Sequence, residues 1–213
     1  MKKVAIRTLA KPLLFNALAL TAITNANAAT GTFGVAFNTV ADVSIVETQP
    51  LSFGANIFIT SGGVCTLNAA TPAAATMQSD ATTALTGNNY GAIAGSGCVT
   101  TAAGVNGNQG GYYRLTGVSG IDVKVTVNPV NNADFGFVPA GCVNNHDGTS
   151  AANSDSCDVF SSGVQLTATL ANSTETGGVD TQLMIAVGGE ITINQELTPG
   201  TAYSQNFTID VTY

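Results

Sequence analysis

Gly188-Gly189-Glu190-Ile191-Thr192-Ile193-Asn194 is followed by Leu197-Thr198-Pro199-Gly200-Thr201-Ala202-Tyr203 and then by Asn206-Phe207-Thr208-Ile209-Asp210-Val211-Thr212-Tyr213. The first and last runs alternate apolar with polar residues, and Pro199-Gly200 between them is a turn signal, so the pattern predicts a β-hairpin. In the last run Phe207, Ile209, Val211 and Tyr213 fall on one face; Asn206, Thr208, Asp210 and Thr212 fall on the other. One face therefore requires a core. A strand that carries its alternation to the final residue frays unless something ties it down, so this one is expected to be held by neighbouring strands or by a partner.

Outward from that stretch, the same period recurs in short runs. Val43 and Ile45 share a face within 40–47, Ile57-Phe58-Ile59 is a further short strand, and 112–118 with 121–127 around Ser119-Gly120 predict a second hairpin. Phe135 to Val138 is short and apolar, Val164, Leu166, Ala168 and Leu170 share a face, and Leu183 to Val187 is expected as the last strand before the terminal hairpin. Pro50 interrupts a ladder and Gly54 permits a bend or bulge after it. The Ala- and Thr-rich stretch 68–86 contains Pro72 and shows no 3.6-residue stripe, so a helix is not expected there. The Gly- and Asn-rich stretch 87–111 reads as a long surface loop, mobile apart from an anchor at Cys98, and 144–158 reads as a polar loop. Short alternating strands separated by Gly-rich turns argue an all-β antiparallel sandwich, with no internal repeat and no second domain.

Composition narrows the setting. Lys2, Lys3, Arg7 and Lys11 precede an apolar run, 13–24, and then Ala26-Asn27-Ala28, the three parts of a secretory signal peptide. That run is too short for the roughly 20 residues needed to cross a bilayer, and no later stretch is longer. The chain thus divides into a leader, 1–28, an N-terminal extension, 29–41, and one domain, 42–213. Cleavage removes 28 of 213 residues and four of six cations but none of the thirteen acidic groups, leaving a formal charge of −11 with Arg114 and Lys124 the remaining cations. Nucleic-acid and anionic-membrane partners are excluded on charge, and membrane insertion on length. Four cysteines in an exported chain imply two disulfides with three possible connectivities. Cys65 with Cys98 and Cys142 with Cys157 are favoured, because each pair brackets a Gly-, Asn- and Ser-rich stretch with little core of its own. The second closes a loop worth roughly 3 kcal/mol in the loop-entropy model, the first somewhat more.

Catalytic chemistry finds little to work with. His146 is the single histidine, it has no nucleophile motif beside it, and a type-one copper site fails for want of a second. Asn144, Asn145, Asp147, Asp155 and Asp158 supply oxygens of the kind calcium uses, but their spacing does not match the twelve-residue calcium loop and such clusters ordinarily form turns. No two carboxylates are singled out for glycoside hydrolysis, and no glycine-rich run has phosphate-binding spacing ahead of a helix. Asn172-Ser173-Thr174 and Asn206-Phe207-Thr208 match the glycosylation triplet, which arises readily in an Asn- and Thr-rich chain. The expectation is a non-enzyme without cofactor or metal.

The two ends of the chain resemble a family. Leu51-Ser52-Phe53-Gly54 near the start, and Gly188-Gly189-Glu190-Ile191-Thr192-Ile193 through Tyr203, Phe207 and Val211-Thr212-Tyr213, look like bacterial exported pilin-like β-sandwich domains of the chaperone-usher type. The resemblance implies an immunoglobulin-like, Greek-key sandwich lacking one strand, whose groove is filled first by a periplasmic chaperone and then by the N-terminal extension of the next subunit. Carried over, Phe33, Val35 and Phe37 become donor-strand knobs, and Phe207, Ile209, Val211 and Tyr213 one wall of the acceptor groove. Three buried knobs give a gross term of about 5 to 9 kcal/mol before ordering costs. Repetition of such a head-to-tail joint gives an open filament. The expected function is a structural subunit of an extracellular fimbria, a homopolymer delivered by a periplasmic chaperone and an outer-membrane usher and serving adhesion or biofilm formation. The bland reading of 29–38 is an ordinary first strand. The alternative function is a secreted monomeric binding module whose loop, Asn88 to Tyr113, contacts a carbohydrate or surface.

Overall fold

The computed structural model describes residues 42–68, 90–146, 156–172 and 180–213, together with Ala36 and Thr39. The leader, the donor knobs Phe33, Val35 and Phe37, and the acidic Asp147 and Asp155 lie outside the described residues. The chain divides into two compact units, Met1–Thr39 and Val40–Tyr213, and every described strand belongs to the second.

Its strands, in order, are β1 (Ser44–Gln49), β2 (Ser52–Phe53), β3 (Val64–Leu67), β4 (Ile93–Ala94), β5 (Asn108–Gln109), β6 (Gly111–Thr116), β7 (Asp122–Val127), β8 (Val130–Asn131), β9 (Phe135–Asn145), β10 (Ser156–Phe160), β11 (Leu166–Thr169), β12 (Gln182–Ile193) and β13 (Ile209–Thr212). Every ladder is antiparallel. The large sheet is built on β12, which pairs along one edge with β6 and then β3, and along the other with β9. β1 extends it beyond β6, β4 beyond β3, and β8 and β10 beyond β9. The small sheet has the order β11-β7-β13. Its inward row, Val123, Val125 and Val127, joins Leu115, Leu183, Ile185 and Val187 of the large sheet in one buried cluster, so the two sheets enclose a common core in a sandwich layout.

Local sequence explains each strand's place. β7 reads Asp-Val-Lys-Val-Thr-Val and buries only its valines, as a strand with one face in water should. β12 is covered on both faces from Leu183 to Gly189, which matches its run of consecutive apolar and glycine residues. On the outer face of the large sheet a second cluster gathers Tyr90, Met184, Ala186 and the Cys142–Cys157 pair, with Tyr112 against it.

Both expected hairpins are corrected. Residues 188–193 belong to the same long strand as 182–187, and 209–212 pair with β7 in the other sheet, so the Pro199-Gly200 turn lies in a crossing between sheets. Thr201 N–H does donate to Thr198 at 3.3 Å, but the flanking strands do not meet. Likewise β6 and β7 flank a corner rather than a hairpin: β6 pairs with β1 and β12, β7 with β11 and β13. A turn signal specifies a reversal of direction and leaves open which sheet receives the chain; core burial decides that. Ile57 forms only an isolated bridge with Cys98 in place of the strand expected at 57–59. β9 continues through Asn145, and Cys157 to Phe160 of β10 pair back onto it, so both ends of the expected polar loop at 144–158 are strand.

The loop expected to be mobile is pinned over the part described. Ile93 and Thr101 exchange backbone hydrogen bonds at 2.9 and 3.0 Å, Phe58 N–H donates to Gly97 at 2.8 Å, and Val99 N–H donates to Asn56 at 3.0 Å. Buried Asn56 donates to the carbonyls of Phe53 at 3.0 Å and Val105 at 3.3 Å, and accepts from Asn106 Nδ2 at 2.9 Å. Gly54 takes φ +63°, the left-handed bend its position suggested, and a side chain there would run into the Asn106 carbonyl. The disulfides are Cys65–Cys98 and Cys142–Cys157, the favoured connectivity.

Candidate functional site

β1 lies at one edge of the large sheet and β13 at one edge of the small one. β1 pairs with β6 alone, and β13 with β7 alone, among the described residues. Register fixes which side chains look inward there. Ile45 lies opposite Leu115 and Glu47 opposite Tyr113, so Val43, Ile45 and Glu47 form the inward row of β1. Leu115 is fully buried whereas Ile45 on the same face is 41% exposed. In the last segment Phe207, Ile209 and Val211 are half-buried against the main core, and Tyr213 is 43% exposed.

Aromatic contacts tie this segment to the large sheet. Phe207 packs edge-on to Tyr113 at 5.7 Å between centroids and lies 5.5 Å from Phe137. At the other end a Cβ on Gly117 would lie 2.8 Å from the Tyr213 hydroxyl and 3.4 Å from Val43 Cγ2, so strand β1 starts where β13 finishes. The Tyr213 hydroxyl there accepts the backbone N–H of Val118 at 3.1 Å. Burial, followed by the Glu47 carboxylate facing it, pushes the Tyr113 phenol up to about 12, against a partial opposing effect from a backbone hydrogen bond at Leu51.

Of the four residues named for the acceptor wall, Phe207, Ile209 and Val211 pack half-buried against the core, and Tyr213 is exposed beyond them. Val43 and Ile45, placed on one face by their spacing, share the inward face of β1. Glu47 was missed, although the period that joins Val43 to Ile45 reaches it at the next step. The oxygen cluster is only partly assembled among described residues: Asn145 Nδ2 donates to Asp158 Oδ2 at 2.7 Å, while Asn145 Oδ1 accepts from Thr169 N–H at 2.9 Å. No group of three His, Cys, Asp or Glu side chains with metal-holding geometry occurs among the described residues. His146 is 1% exposed, and its backbone N–H donates to the Thr169 carbonyl at 3.1 Å, so it extends the β9 region into the sheet corner. No described helix is long and apolar enough to cross a membrane. Comparison with family models, curated proteins and solved structures finds no match for the chain.

Proposed function

We propose that the chain is a structural subunit of an extracellular fibre, assembled by strand exchange into the cleft between β1 and β13. The observation that carries the reading is the pair of inward rows, Val43 and Ile45 on one side and Phe207, Ile209 and Val211 on the other, that the fold leaves only partly covered. A strand laid between them gains main-chain hydrogen bonds from an unpaired edge and buries alternate side chains among these residues. Phe33, Val35 and Phe37 of another copy have the alternation such a cleft accepts. In this reading the domain is an immunoglobulin-like sandwich short of one strand, the partners are copies of the same chain with a periplasmic chaperone and an outer-membrane usher, the fibre lies outside the cell, and it serves adhesion or biofilm formation without catalysis.

Protein sheared from producing cells and run in SDS supplies the test. Without boiling it should migrate as a ladder of multimers that collapses to one band on boiling, with no reductant required. Deletion of 29–38 should abolish the ladder. One monomer band under both conditions, with the protein free in the medium, refutes fibre assembly.

A further inference from the structure

Asn106-Gly107 is the single Asn-Gly pair in the chain. Such a pair is the most reactive setting for a side-chain amide, because glycine leaves the following backbone nitrogen unshielded and the chain free to turn about it. The reaction joins the Gly107 nitrogen to Asn106 Cγ in a five-membered imide. Closure requires the side chain and that nitrogen to lie on the same side of the Asn106 Cα–C bond.

In the fold they stand on opposite sides. Asn106 has φ 56° and ψ 25°, a left-handed conformation that asparagine tolerates, and at that ψ tetrahedral geometry sets Cβ nearly anti to the Gly107 nitrogen. Both groups that would have to swing are held. The Asn106 carbonyl accepts the Ala55 N–H at 3.0 Å, and the Asn106 amide donates to Asn56 Oδ1 at 2.9 Å. Asn56 is 2% exposed and its own amide donates to the Phe53 and Val105 carbonyls, so this acceptor is fixed in turn. Rotation about the Cα–C bond must give up one contact or the other. Water nevertheless reaches the pair: Asn106 and Gly107 are both exposed, and beyond the chain neighbours only the Gly54 Cα, at 3.9 Å, comes near a Cβ placed on Gly107.

We propose that Asn106-Gly107 is a self-modification site that the Asn56 clamp holds latent, and that its conversion releases the loop irreversibly. When the loop opens, the Gly107 nitrogen gives its proton to solvent base and bonds to Asn106 Cγ, while the Cγ–Nδ2 bond breaks and ammonia leaves. Water then cleaves one of the two imide C–N bonds. Cleavage at Cγ gives an aspartate; cleavage at the backbone carbonyl carbon gives an isoaspartyl link that routes the chain through the side chain. Nothing is oxidised or reduced. Neither product keeps an Nδ2 donor for Asn56 Oδ1, both add a negative charge, and the isoaspartyl link lengthens the backbone by one atom, so the contact cannot re-form. The reaction proceeds from the open loop, and its rate follows the open population.

The test is peptide mapping by mass spectrometry of the full chain held at mildly alkaline pH, following 106–107 for loss of ammonia and then gain of water. In urea the parent should convert, while Gly107→Ala keeps its amide far longer, which identifies the imide route. Folded parent should retain its amide, and folded Asn56→Ala should lose it about fivefold faster or more. Parent converted in urea and returned to buffer should show fast amide exchange at Gly104, whose N–H bonds the Asn108 carbonyl at 2.8 Å, with slow exchange across β12. Conversion of folded parent at the rate seen in urea overturns the proposal. So does folded Asn56→Ala that converts no faster than the parent, or converted chain whose Gly104 exchange equals the parent's or whose β12 exchanges equally fast. The parent comparisons decide the matter alone if Asn56→Ala fails to fold.

Discussion

The hydroxyl of Tyr213 accepts the backbone N–H of Val118 at 3.1 Å, so the residue just after β13 is fastened to the corner where the chain passes between sheets. Tyr213→Phe deletes that acceptor while keeping the ring. A loss of about 0.5 to 1.5 kcal/mol is expected, a fall in Tm of a few degrees for a domain of this size. Calorimetry decides it; a melt equal to the parent would mean that water replaces the phenol without cost.

Tyr90 is a more severe case. Its hydroxyl sits 2.8 Å from the Gly111 carbonyl and 3.1 Å from that of Val187, inside the outer-face cluster and stacked at 5.2 Å on Tyr112. Tyr90→Phe leaves those buried carbonyls short of a donor and should cost about 1 to 3 kcal/mol by urea unfolding, more than Tyr213→Phe. Equal costs for the two variants would contradict the burial argument.

Alkali should weaken the fold through the same class of side chain. Burial first, then the Glu47 charge, raises Tyr113 from 10.0 to about 12, and burial, then Tyr112, raises Tyr90 further. The folded state holds these protons more tightly than the unfolded chain. Their contribution is therefore complete below pH 10 and is lost as pH rises from 10 through the folded values. Urea midpoints should be flat from neutrality to about pH 9.5 and fall above it, with a shallower fall in Tyr113→Phe. A parent and variant with superimposable profiles would remove Tyr113 from the account.

Asn56 tests the pinned loop. Asn56→Ala frees the Phe53 and Val105 carbonyls and the Asn106 amide in one step, for about 1 to 3 kcal/mol. Amide exchange of Val99, Gly104 and Val105 should accelerate while the β12 amides remain slow. Uniform acceleration would show instead that the loop and sheet open together.

Gly141 tests the centre of the large sheet. A Cβ there runs into the Ala186 carbonyl of β12, a backbone atom held by its own ladder, and meets the Phe160 ring at 3.1 Å. Gly141→Ala should destabilise by about 1 to 3 kcal/mol or more, seen as a lowered urea midpoint with an unchanged slope. A neutral result would require β9 and β12 to part without cost.

What the sequence disclosed and what it withheld divide along a physical line. Alternation put Phe207, Ile209 and Val211 on one face, and in the structure that row packs against the core, because facing is a property of a single strand. Sheet membership is a property of pairs, and there the turn signals Ser119-Gly120 and Pro199-Gly200 misled: both mark reversals that carry the chain into the opposite sheet. The extent of β9 and β12 was hidden for a related reason, since Gly141, Gly188 and Gly189 look like turn residues until a close-packed neighbouring strand accounts for them. The proposed cleft was half legible. Its β13 wall lay in one alternating run, whereas Glu47 gained meaning only once Tyr113 stood across from it. The rigidity of 90–110 was not legible at all, because it rests on Asn56, thirty or more residues away in sequence.

β12 imposes an order on assembly. Its partners are residues 64–67, 111–116 and 135–145, so every strand of the large sheet that it organises precedes it in the chain. None of those earlier segments can close its ladder to β12 until 182–193 is present, and the closure spans more than a hundred residues in the case of β3. A chain emerging from its amino end thus stays incompletely paired through most of its synthesis. Completion of the large sheet waits on a single late strand, and folding is timed by the arrival of that strand rather than by the local turns.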